Sequence, residues 1–250
     1  MKTTILNKLR ETEAKHDVKI LYACESGSRA WGFPSLDSDY DVRFIYVRPM
    51  RYYLSVQKKD DQLSFPINDI LDINGWDSQK ALHLITRSNT NPFEWLQSPV
   101  VYCEDKLFRT NLFDLCQHYF CARSTIFHYL GICRSALGSM DSSSGIKIKK
   151  LFYVVRPLLA ALWSVERGTI APMNIHPLME LLPDNLQEKL TGLIKIKSNA
   201  EESFLITLDD DLRQWIDKTY AYCFEKAELA EKQTFDLTLV DEFFIKSLSN

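Results

Sequence analysis

Glycine and proline are scarce, at 8 and 9 residues in a chain of 250. That scarcity excludes collagen-like and low-complexity architectures. Net charge is nearly absent: 30 Lys and Arg stand against 33 Asp and Glu, a formal −3. A chain built to coat phosphate backbones is more basic, so any nucleic-acid contact must rest on a local patch. There is no long apolar run. The longest stretch, Leu158 to Trp163, falls far short of the roughly 20 residues that a membrane span needs. There is no Cys-x-x-Cys pair. Cys24, Cys103, Cys116, Cys121, Cys133 and Cys223 sit mostly among apolar neighbours, which reads as reduced thiols in a cytosolic protein. Residues 1–13 have no apolar core followed by a small-residue cleavage site, so no secretory signal is read there. Cys116, His118 and Cys121 lack zinc-ligand spacing and read as helix packing.

What is present is a hydrophobic fraction of 46 %, on a length that buries a real core without disulfide or metal support. The N-terminal half alternates strand and helix patterns. Residues 2–16 place Ile5, Leu6 and Leu9 on one helical face. The β-rich run Val18–Cys24 feeds the small-residue turn Glu25-Ser26-Gly27-Ser28, with a short helix over 29–32. Residues 39–47 alternate as a strand ending before Pro49. Residues 52–56 form a turn or short helix, 63–73 hold further strand, and a helix opens at Trp76-Asp77-Ser78 and runs to about Arg87. Asn89–Pro92 stops that helix, 93–96 make one more turn, and 99–102 are a short strand. From about residue 105 the pattern turns helical: 107–137, 147–167, 184–198 and 200–232, with the polar loop 138–145 between the first two. The expected class is α/β (α+β), with one domain over 1–104 and a helical domain over 105–250.

The segment that carries chemistry is Glu25 to Asp41. A Gly-Ser turn after a strand exposes backbone N–H groups at a helix start, which suits a phosphate oxygen. Asp39 and Asp41 follow at i and i+2 on the next strand, and a period of two puts both carboxylates on one face. Two neighbouring carboxylates repel unless a divalent cation lies between them. A phosphate cradle beside a magnesium site is what nucleotidyl transfer requires. Asp37-x-Asp39-x-Asp41 also opens like a calcium-binding EF-hand loop. That loop needs glycine sixth and glutamate twelfth, where this chain has Val42 and Arg48.

Gly27-Ser28, a gap of about ten residues and then Asp39-x-Asp41 resemble the signature of the DNA polymerase β-like nucleotidyltransferase superfamily. The fuller string, from Gly27-Ser28-Arg29-Ala30-Trp31-Gly32 through Ser38-Asp39-Tyr40-Asp41-Val42-Arg43, resembles its bacterial and phage branch of predicted nucleotidyltransferases, which includes phage RNA-ligase-associated proteins. The resemblance continues in Gly75-Trp76-Asp77, Lys80-Ala81-Leu82, Ser88-Asn89, Glu94-Trp95-Leu96-x-Ser98-Pro99 and Lys150-x-x-Tyr153-x-x-Arg156-Pro157, and covers most of residues 20–185.

The resemblance implies a minimal nucleotidyltransferase mixed sheet with helices, followed by a helical domain closing the cleft. It implies an enzyme that moves a nucleoside monophosphate from an NTP to an acceptor hydroxyl, with Mg²⁺ or Mn²⁺ as cofactor and release of pyrophosphate. It also implies a third carboxylate on a later strand. Asp72 matches best, Asp69 less well, and Asp77 reads as a helix cap. Asp39, Asp41 and Asp72 are then the catalytic and metal-binding set. Gly27, Ser28 and Ser38 would hold phosphates, and Arg29 would either neutralise their charge or make an ordinary ion pair. Arg43 is either a second such cation or an ordinary ion pair. Lys150, Tyr153 and Arg156, at i, i+3 and i+6 and so roughly on one helix face, would clamp triphosphate and stack the base, or else form a solvated face with one buried tyrosine. The acceptor is a small molecule, an RNA end or a protein hydroxyl, and no membrane partner is expected. The alternative is a non-catalytic nucleotide-binding or regulatory module.

Other residues are set aside. His83, His118 and His128 have no ligand spacing. Trp95, Trp163 and Trp215 read as core anchors. Lys147-Ile148-Lys149-Lys150 is too short a basic run to indicate nucleic acid by itself.

Overall fold

Ile5, Leu9 and Thr12 recur at helical spacing and are buried along one side of the first helix, which marks how this chain builds its elements: apolar periodicity first, caps second. The computed structural model describes residues 1–66, 70–140 and 145–248. Along the chain come α1 (Lys2–His16), β1 (Lys19–Ser26), α2 (Gly27–Trp31), β2 (Tyr40–Val47), α3 (Met50–Tyr53), β3 (Gln62–Ser64), β4 (Leu71–Asp77), α4 (Ser78–Ile85), α5 (Thr90–Trp95) and β5 (Val101–Glu104). Then follow α6 (Lys106–His118), α7 (Ala122–Gly138), β6 (Ile146–Lys147), α8 (Ile148–Arg167), α9 (Ile175–Leu178), a 3₁₀ turn (Met179–Leu181), α10 (Asp184–Ser198), β7 (Leu205–Ile206), α11 (Asp210–Leu229) and α12 (Thr238–Leu248).

The chain forms two units. The first holds Met1–Gly27, Asp39–Tyr119 and Thr234–Asn250; the second holds Ser28–Ser38 and Phe120–Gln233. A cut after residue 104 differs from this division: α6 and α12 go with the sheet, and the 28–38 segment goes with the helices.

In the first unit, five strands run in the order β3-β4-β2-β1-β5. β2 and β4 are parallel, and the other neighbours are antiparallel. One sheet face packs Val42, Phe44, Tyr46 and Ile73 against Ile5 and Leu9 of α1. Gly75 is required inside β4 because a Cβ there would lie 2.1 Å from the Phe44 ring. Gly75, Trp76 and Asp77 pair with Phe44, Ile45 and Tyr46, so Trp76 is strand, and α4 opens two residues later than expected. The carboxylate of Asp77 accepts from the N–H of Gln79 at 2.9 Å and from the hydroxyl of Tyr53 at 2.9 Å. It is the α4 cap. Asn89 is likewise a cap, accepting from the N–H of Asn91 at 3.0 Å. The Asn89–Pro92 string therefore starts α5, with Pro92 in the first turn where a missing donor is harmless. The expected strand over 63–73 is two strands, β3 and β4. The ring of Phe243 on α12 lies 5.4 Å from that of Phe108 on α6.

In the second unit, α8 is buried along most of its length, with Leu151, Phe152, Val155, Leu158, Leu159 and Leu162 in the core. The single helix expected over 107–137 is broken at 119–121, and only its second part, α7, belongs here. Phe33 ties the 28–38 segment to this core by stacking on Phe152 at 4.8 Å. Among the described residues, no helix is long and apolar enough to cross a membrane.

Candidate active site

The first unit carries the acids. Gly27, the first residue of α2 directly after β1, has φ +61°, and a Cβ there would fall 1.9 Å from Oδ2 of Asp41. The turn therefore needs glycine twice over: for its left-handed backbone and for the closeness of a carboxylate. In the β1–β2 ladder Asp41 pairs with Ser26; in the parallel β2–β4 ladder it pairs with Asp72. Residues in register point to the same sheet face, so the two carboxylates are neighbours on the face opposite Val42 and Ile73. Arg43, two residues along β2, shares that face. Its Nη2 donates to Oδ2 of Asp72 at 2.7 Å and to Oδ1 of Asp41 at 3.1 Å. Its Nη1 donates to the carbonyls of Val42 at 3.0 Å and Asp72 at 3.2 Å. All three side chains keep about a fifth of their surface exposed, at 20–21 %.

Asp39 precedes the first residue of β2, so strand alternation does not fix its side chain beside Asp41. Among the described residues no three His, Cys, Asp or Glu side chains form a group able to hold a metal; Asp39, Asp41 and Asp72 make no such trio. Asp69 lies outside the described residues. Two adjacent carboxylates are still a hard-oxygen donor pair that suits Mg²⁺ or Mn²⁺, and one guanidinium offsets only part of their charge.

Glu25 went unread in the sequence. It is 1 % exposed. One carboxylate oxygen accepts from the backbone N–H of Asp41 at 2.8 Å, and the other accepts from the hydroxyl of Tyr102. Burial, reinforced by that bond, holds the Tyr102 phenol above its ordinary pKa, so it remains a donor. Glu25 thus fixes the backbone that presents Asp41. Its signal was an acid ending an otherwise apolar strand.

The second unit carries the hydroxyls of the Gly-Ser turn. Ser28 Oγ donates to Ser38 Oγ at 3.1 Å, which donates to Oε1 of Glu202 at 3.2 Å. The N–H of Ser35 also donates to Ser38 Oγ, at 2.9 Å, and Nη2 of Arg29 donates to the Ser38 carbonyl at 2.6 Å. The other oxygen of Glu202 accepts from Lys149. Lys197 is buried and donates to Ser35 Oγ at 2.6 Å. Burial lowers its pKa from the ordinary 10.5. Glu202 and Lys197 had no motif to announce them, and Lys149 stood only in a short basic run.

Lys150 and Tyr153 line a cavity of about 1070 Å³ in this unit, together with Lys147, Lys149 and Glu202. Arg156 does not line it. It is 3 % exposed, donates through Nε and Nη2 to the Met173 carbonyl at 3.1 and 2.9 Å, and lies over the Trp31 ring at 4.7 Å. At 100° per residue, i+6 is about 120° round a helix from i, so the three residues never shared one face.

Over residues 1–246 the chain matches the family described as RlaP, RNA repair pathway DNA polymerase beta family. It is 40 % identical over 240 residues to a protein of Bacillus subtilis (strain 168) called "Uncharacterized protein YcgL", a match spanning 95 % of this chain and 92 % of that one. Among solved structures it is similar to a nucleotidyltransferase-like protein from Exiguobacterium sibiricum, with a TM-score of 0.32 and 12 % identity, covering 97 % of this chain and 79 % of that one.

Proposed function

This chain belongs to the RlaP family, the RNA repair pathway DNA polymerase beta family, and on that premise we propose that it is a metal-dependent nucleotidyltransferase. It moves a nucleoside monophosphate from an NTP to an acceptor hydroxyl. The observation that carries the reading is the Asp41–Asp72 pair beside a turn that only glycine fits. The acceptor oxygen bonds to the α-phosphorus, the bond from that phosphorus to the bridging oxygen breaks, and pyrophosphate leaves. Asp72 takes the hydroxyl proton or orients the hydroxyl. Asp41 serves with it as a cation ligand, while Gly27 and Ser28 offer backbone N–H groups to the terminal phosphates. Bound Mg²⁺ or Mn²⁺ would neutralise charge on the attacking and leaving oxygens.

Pyrophosphate release from NTPs, in the presence of Mg²⁺ and candidate acceptors, tests this. Asp41→Asn and Asp72→Asn should each lower the rate by about a hundredfold or more, the scale of a lost charge-stabilising group. Rates equal to wild type would refute the assignment.

The double ion pair of Arg43 favours a second reading, a module that binds nucleotide without turnover. NTP-dependent thermal stabilisation with no product over hours supports that reading over the first.

A further inference from the structure

Lys197 is a buried cation that the proposed chemistry does not use. It is 0 % exposed and stands in the last turn of α10. An ammonium group has three donors. Among the described residues, Nζ makes one hydrogen bond, to the Ser35 hydroxyl at 2.6 Å, and no ion pair. It also lies 5.7 Å from the centre of the Phe33 ring. The charges that act on it are Glu202, Lys149 and Asp37, and both carboxylates are engaged elsewhere. Asp37 accepts from the N–H of Glu202 at 2.9 Å, and Glu202 accepts from Ser38 and Lys149. A charge buried on such terms costs stability.

The segment from Lys197 to Glu202 clasps the loop over 35–38. Besides the Lys197–Ser35 bond, the N–H of Leu36 donates to the Ala200 carbonyl at 3.2 Å, the N–H of Glu202 donates to Oδ1 of Asp37, and Ser38 Oγ donates to Oε1 of Glu202 at 3.2 Å. Inside the loop, Ser35 and Ser38 are tied to each other. The N–H of Ser38 donates to the Ser35 carbonyl at 3.3 Å, and the N–H of Ser35 donates to Ser38 Oγ at 2.9 Å. Ser38 Oγ also accepts from Ser28 Oγ at 3.1 Å. With one bond donated and two accepted, that hydroxyl is saturated. While these bonds stand, Ser38 does not hold a phosphate; it holds Ser28. Lys197 therefore reaches the Gly-Ser turn through two serines, and all of these residues belong to one unit.

We infer that Lys197 is a positioning residue for nucleotide binding: through Ser35 and Ser38 it fixes Ser28, so that the Ser28 N–H meets the terminal phosphates. This rests on the function proposed above, which places an NTP at that turn. A cation in the last turn of a helix also gains from the helix dipole, a purely structural reason to keep it. The two roles differ in sign. A residue kept only for structure lowers stability when removed and touches nucleotide affinity only through that loss. A buried charge kept for positioning costs stability and supports binding, so its removal moves the two in opposite directions.

Calorimetric titration of the full chain with a non-hydrolysable NTP and Mg²⁺, beside melting curves at neutral pH, tests the inference. Lys197→Met should bind nucleotide about tenfold more weakly, the scale of one hydrogen bond to a charged group, while melting higher than wild type. Ser35→Ala strips Lys197 of its acceptor, so it should melt lower and yet bind as weakly. The double variant should bind within about twofold of either single one, because the two residues act along one path. Affinity unchanged in both single variants overturns the inference and leaves the proposed function standing. A Lys197→Met protein that melts lower and binds more weakly shows a structural role and overturns it too, as do losses that add in the double variant. Wild type that binds no nucleotide overturns the inference together with the proposed function. The expected affinity pattern in a protein that yields no product with any acceptor sinks the transfer reading alone.

Discussion

Asp72 stands directly across from Asp41 in the parallel β2–β4 ladder, and Nη2 of Arg43 bonds both, at 2.7 and 3.1 Å. The acids come from strands some thirty residues apart in sequence, so their adjacency is a product of register alone. The consequences can be tested one residue at a time.

Gly27→Ala places a methyl group where Oδ2 of Asp41 now lies, at 1.9 Å, on a backbone of φ +61°. The left-handed backbone alone costs about 1–2 kcal/mol, and the carboxylate must also move. The variant should melt lower and lose NTP-induced stabilisation. A melting curve and nucleotide response unchanged from wild type would contradict the geometry.

Glu25→Gln tests the support beneath Asp41. The carboxylate accepts from the N–H of Asp41 and from the hydroxyl of Tyr102. A carboxamide has one acceptor oxygen, so one of those donors then faces an NH₂ group. The expected loss is about 1–3 kcal/mol, the cost of an unsatisfied buried group, measured by urea unfolding. Activity should fall with it, because Asp41 is held through its backbone.

Arg43→Gln removes the cation between the two acids. The pair is partly exposed, so the loss in metal-free buffer should be about 1–2 kcal/mol, between the surface and the fully buried cases. With the guanidinium gone the carboxylates repel, and divalent cations should then raise the melting temperature more than in wild type. An equal response in both proteins would show that Arg43 does not compete with a metal.

Lys197→Met gives a stability difference that depends on pH. Burial lowers the Lys197 pKa from 10.5. Below the folded pKa both states hold the proton, and the folded state carries the whole desolvation penalty. Between the folded pKa and 10.5 the unfolded chain binds a proton that the folded chain has released, so wild-type stability rises with pH across that window. The advantage of Lys197→Met should be largest at neutral pH and shrink toward pH 10.5. A difference flat over that range would contradict it.

The local backbone around the acids was legible in the sequence, and the tertiary part was not. The strand before Gly27 and the strand that carries Asp41 were read to within about two residues, because strand signals are short-range, whereas Gly27 and Ser28 open a helix and Asp39 falls just ahead of its strand. Asp72 was reached only through family resemblance; the parallel pairing that sets it beside Asp41 is a long-range contact with no local signal. Glu202 lies 164 residues from its partner Ser38, in a tail with no motif. Trp76 read as helix because Asp77-Ser78 is a strong cap signal, but pairing with Ile45 carried the strand to the cap itself. Lys147-Ile148-Lys149-Lys150 read as an unremarkable charge run, since only the fold shows that its three lysines meet α7 across one cavity.

The proposed function rests on Asp41 and Asp72 together holding a divalent cation with bound nucleotide. Electron paramagnetic resonance titration of Mn²⁺, with a non-hydrolysable NTP, measures this directly in wild type and in Asp41→Asn/Asp72→Asn. A bound Mn²⁺–nucleotide signal is expected in wild type, weakened about tenfold or more in the double variant. Equal Mn²⁺ binding by the two proteins would contradict it.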